Sequence, residues 1–98
     1  MNEHFAGEFS DGDRVIVESI FQMFMNDKDA QKFKRLANEN PIEMFMQSLF
    51  PDKFKDIATQ CWVENSEAYQ KLFNNAEFYQ VVMESLAREL YRSWNKKS

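Results

Sequence analysis

No glycine follows Gly12, and from there apolar side chains recur every three or four positions, as in Phe54, Ile57/Ala58, Cys61/Trp62, Ala68/Tyr69 and Leu72/Phe73. That spacing buries one face of a 3.6-residue helix, and a chain with two prolines and one threonine has little to interrupt it. The pattern predicts an all-α protein, a single helical bundle of about five helices. A chain of 98 residues has room for one core and no second domain.

The boundaries follow from capping chemistry. Residues 1–12 mix His4, Gly7 and acidic side chains with Phe5 and Phe9, which predicts a flexible lead-in, or the edge of an excised piece, whose rings are candidates to dock on the body. The helical domain is expected over 13–98. Ser10, Asp11 and Asp13 offer capping oxygens to a first helix that is apolar over a wide arc from Val15 to Met25, as a central helix is. Asn26 and Asp27 interrupt it. A more polar helix through Phe33, Leu36 and Ala37 then ends at Asn38-Glu39-Asn40.

Asn40-Pro41-Ile42-Glu43 combines a capping side chain, a proline whose missing N–H costs nothing there, and a glutamate placed to reach back three residues. It predicts a helix from Pro41 to about Phe50. Pro51 should bend the chain before a long helix from Asp52 to Asn74, in which the polar patch Glu64-Asn65-Ser66-Glu67 either faces solvent or kinks the axis. Asn74-Asn75-Ala76-Glu77 repeats the capping pattern and opens a last helix that runs to Trp94.

Ten Phe, three Tyr, two Trp and six Met supply most of the bulky core volume. So many rings in so short a chain also point to surface reserved for a partner. The net charge of −4 is unevenly spread, with five Lys/Arg against nine Asp/Glu in 1–51 and seven against seven in 52–98. Arg88, Arg92, Lys96 and Lys97 against Glu89 alone make the end of the chain locally basic. Those cations either complement the C-terminal end of a helix dipole or meet phosphate or an acidic partner. Trp94 among them has the composition of an interface anchor, whereas Trp62, on the apolar stripe, reads as core.

Chemistry of the chain's own is not expected. His4 is the only histidine and has no ordered neighbour to orient it, and Cys61 lies on the apolar stripe, where a cysteine is a small buried hydrophobe. Both glycines precede residue 13, so no glycine-rich phosphate loop exists, and the Glu-x-x-His pair of di-iron bundles is missing. No cofactor, metal or small-molecule ligand is expected. Glu84 and Arg88, four apart on a helix, read as a surface ion pair. A single cysteine, no signal-like N-terminus and no long apolar run suggest a cytoplasmic protein outside the membrane.

The stretch Asn40-Pro41-Ile42-Glu43-Met44-Phe45-Met46-Gln47-Ser48-Leu49-Phe50-Pro51-Asp52-Lys53-Phe54, followed by Phe78-Tyr79-Gln80-Val81-Val82-Met83 and Leu86-Ala87-Arg88-Glu89-Leu90-Tyr91-Arg92, resembles the C-terminal region of the R (HsdR) subunit of type I restriction enzymes. The similarity covers the chain from about Asp13 onward, and it rests on helix patterns, not on catalytic signatures. The resemblance implies a fragment of a long motor nuclease whose DNA cleavage, ATP hydrolysis and Mg requirement reside elsewhere in the parent subunit. It implies docking on the methyltransferase core of modification and specificity subunits, near DNA, with Arg88, Arg92, Trp94, Lys96 and Lys97 as candidate partner or DNA contacts. The other reading of the residues is a stand-alone helical adaptor or regulator that binds a protein partner or itself.

Overall fold

The Ser10 hydroxyl accepts a hydrogen bond from the Asp13 N–H at 3.4 Å and opens α1 (Asp11–Met25), with Asp11 and Asp13 at the positive end of the helix dipole. The computed structural model describes Phe5 and residues 7–95, and among these residues it contains six helices and no strand. After α1 come α2 (Ala30–Glu39), α3 (Ile42–Gln47), α4 (Phe50–Glu64), α5 (Ser66–Asn74) and α6 (Ala76–Trp94). The molecule is an all-α bundle. Its radius of gyration, 13.0 Å, is what a packed domain of about 100 residues has.

The sixth helix arises because the long helix expected from Asp52 to Asn74 breaks at Asn65. This residue leaves helical geometry (φ −152°, ψ 76°), closes α4 through its N–H to the Cys61 carbonyl, and caps α5 by accepting from the Ala68 N–H at 3.2 Å. Asparagine favours that role because its short amide competes for backbone groups that a continuing helix would use internally.

Asn40 corrects a second expectation. Instead of capping α3, it closes α2, its N–H and its Nδ2 both donating to the Leu36 carbonyl. Pro41 takes the capping position of α3 with extended backbone, and α3 ends at Gln47, short of Phe50. The bend therefore falls at Ser48 and Leu49. Pro51 lies inside the first turn of α4, where no intrahelical bond needs its N–H.

The central helix is α6, which packs against each of the other five, and not α1 as its wide apolar arc suggested. On α1, Val17, Ile20, Phe21 and Phe24 are buried while Val15 stays exposed. Val82, Leu86, Leu90 and Trp94 form the matching stripe on α6. Rings fill the space between them. Phe24 stacks on Phe50 with centroids 5.1 Å apart, and contacts continue outward from Phe50 through Phe54, Tyr79 and Phe73 to Trp62. Edge-on and offset pairs of this kind add to the area that the rings bury.

Phe5 and Phe9, from the described part of the lead-in, join this packing. Phe5 is buried and meets Phe21 edge-on at 5.7 Å, and Phe9 packs against both Phe5 and Phe78. Gly7 makes the turn between them at φ +88°, a conformation that side-chain-bearing residues rarely adopt. Of the readings open for residues 1–12, docking of Phe5 and Phe9 on the body is the one these described residues adopt, while His4 lies outside them.

Candidate docking surfaces

The two tryptophans exchange the roles expected of them. Trp94, the expected partner anchor, is 3% exposed and belongs to the core, four residues beyond Leu90 on the buried stripe of α6. Its indole Nε1–H is buried without a hydrogen-bond partner among the described residues, a state that costs on the order of 1–3 kcal/mol. Crossed amide contacts hold the ends of α2 and α6 together over it: Asn38 Nδ2 donates to the Trp94 carbonyl at 2.9 Å, and Asn95 Nδ2 donates to the Ala37 carbonyl at 2.7 Å.

Trp62 is 43% exposed, not core. It stands on the last turn of α4, and because the chain turns at Asn65, α5 brings Phe73 against it with ring centroids 6.4 Å apart and planes at 70°. Phe73 is 40% exposed and Val63, next to Trp62, is 71% exposed. Beside them Trp62, Ser66, Glu67, Gln70 and Asn74 line a shallow groove of about 360 Å³. An exposed Trp–Phe pair backed by packed rings has the make-up of a binding hot spot.

The basic end of the chain is less of a unit than its sequence suggests. Arg88 is exposed and donates to Ser85 Oγ at 3.2 Å, and Arg92 pairs with Glu89, so both guanidiniums are engaged by residues three positions away on α6. Lys96 and Lys97 lie outside the described residues. Lys34 and Arg35 of α2 line an open groove of about 610 Å³ with Ser93 and Trp94. The sequence offered no signal for that proximity, which depends on how α2 crosses α6.

Other candidate chemistry is quiet. Cys61 is buried, its thiol donating to the Met23 thioether at 3.1 Å, and burial pushes its pKa above the ordinary value. Among the described residues no group of three or more His, Cys, Asp or Glu is placed to hold a metal ion. No described helix is long and apolar enough to cross a membrane.

Compared with protein-family models, curated proteins and solved structures, the chain matches none.

Proposed function

We propose that this chain is a non-catalytic helical assembly domain of a type I restriction endonuclease R subunit, one that docks the motor and nuclease parts on the methyltransferase core of modification and specificity subunits, close to DNA. The reading draws its family from the resemblance carried by residues 40–54, 78–83 and 86–92. The observation that carries the docking role is the exposed Trp62–Phe73 pair, with Val63 beside it. A protein whose core already holds most of its rings gains nothing in stability from leaving these two in water, and a partner that covers them recovers that apolar area. ATP and Mg chemistry belongs, on this reading, to the rest of the subunit.

Titration of the chain into the modification–specificity core complex tests the reading. Saturable binding that Trp62→Ala weakens by tenfold or more supports it, and an absence of binding under conditions where the intact R subunit binds sinks it. The same exposed pair favours self-association as the second reading. Sedimentation at several concentrations separates the two, since a monomer throughout leaves the heterologous partner.

A further inference from the structure

We propose that the groove between α3 and α6 is a docking site for an arginine or lysine side chain presented by a partner protein. Its accessible apolar lining comes from Met46 and Met83 over the buried Phe50, and its carboxylates are Glu43 from α3 and Glu84 from α6. At about 270 Å³ it falls just below the range of about 300–1,000 Å³ typical of small-molecule pockets, and suits a side chain better than a metabolite.

Charge selects the occupant. The expected ion pair between Glu84 and Arg88 does not form: Arg88 turns to Ser85 Oγ, while Glu84 accepts from Gln80 Nε2 at 2.9 Å. Glu84 therefore has no cationic partner among the described residues, nor has Glu43, and no described lysine or arginine lines the groove. Two carboxylates without a described cation, one from each helix beside an apolar lining, complement a side chain with a long methylene stem and a cationic head. Methionine suits the stem, because its unbranched thioether repacks around different shapes.

This goes beyond the assembly reading, since the groove is defined without reference to the Trp62–Phe73 pair or to any named core complex. The probe is a synthetic amphipathic peptide of about 18 residues, long enough to hold a helix, with leucine on one face and arginine beside it, set against its leucine/glutamate counterpart. Added to the full chain, the arginine peptide should shift the Met46 and Met83 methyl resonances, and the glutamate peptide should not. Affinity should fall with added salt in the unaltered protein, by about tenfold in a Glu43→Gln/Glu84→Gln variant, and not at all in Trp62→Ala. Equal affinity for both peptides, salt-independent binding, or shifts confined to Trp62 and Phe73 would overturn the proposal and leave the assembly reading untouched.

Discussion

The Lys53 ammonium lies 2.7 Å from the Asp27 carboxylate and so pins the first turns of α4 to the link between α1 and α2. Asp29 adds a second carboxylate at 3.0 Å, and the Asp27 carboxylate also accepts from the Asp29 N–H at 2.9 Å. Burial alone would raise the Asp27 pKa, but the hydrogen bonds from Lys53 and Asp29 and the charges of Lys53 and Lys28 outweigh it, and the carboxyl is held below its ordinary 3.8. Lys53 is disfavoured as a cation by its own burial, yet its two carboxylate partners raise its pKa above 10.5.

Asp27→Asn should cost about 1–2 kcal/mol near neutral pH, more than an exposed pair and less than a fully buried one. The depressed carboxyl contributes stability above 3.8 and loses it as pH falls through its lower folded value, so the gap between protein and variant should close on acidification. The raised Lys53 contributes below 10.5 and loses its share as pH climbs through its folded value above that. Urea unfolding across pH reads both limbs. A gap that stays constant into strong acid would contradict this account.

Tyr91 donates its hydroxyl to the Asn40 carbonyl at 2.7 Å, joining α6 to the end of α2, and its ring packs on Phe45 at 5.6 Å. Tyr91→Phe keeps the ring contact and removes only the hydroxyl. The expected loss is about 0.5–1.5 kcal/mol in a denaturant titration, the net value of one such bond. No change would mean that water replaces the contact freely.

Phe50→Ala and Trp62→Ala should separate core from surface. Phe50 is fully buried among Phe24, Phe45 and Phe54, and its truncation should cost about 3–5 kcal/mol, a large share of a small domain's stability. Trp62→Ala gives up one ring contact, about 0.5–1.5 kcal/mol. Its fluorescence consequence is sharper. The remaining emission comes from buried Trp94 and should shift to shorter wavelength, whereas a shift to longer wavelength would place Trp94 in water.

The Cys61 thiol should resist alkylating and disulfide reagents at neutral pH. It is 4% exposed, and burial together with the Glu64 charge raises its pKa above 9.0 against the opposing hydrogen bond from Tyr69. Modification should proceed at the rate at which the protein opens and accelerate sharply in denaturant. Rapid labelling of the folded chain would contradict the burial.

The helices were legible where periodicity and capping agreed, as at Ser10 and at Asn75, which caps α6 by accepting from the Phe78 N–H at 3.0 Å. Asn40 and Asn65 show the limit of that signal. An asparagine between two helical stretches can serve the end of the first or the start of the second, and only the packed partners decide, here Tyr91 over Asn40. Trp62 misled because it neighbours Cys61 on the stripe, but α4 ends two residues later and no following turn covers its ring. Trp94 misled in the opposite way. Its polar neighbours suggested exposure, although it continues the spacing from Leu86 and Leu90 that the core of α6 follows. The groove between α3 and α6 had no sequence signal, since the residues on its two sides lie roughly thirty to forty-five positions apart and meet only through tertiary packing.

The run of rings from Phe24 and Phe50 out to Trp62 has a thermodynamic consequence at the molecule's edge. An indole in edge contact with Phe73, itself packed on Tyr79, has fewer rotamers to surrender on being covered than one standing alone. A partner that covered that end of the bundle would meet a contact already in place, and a larger fraction of the buried area there would remain as affinity.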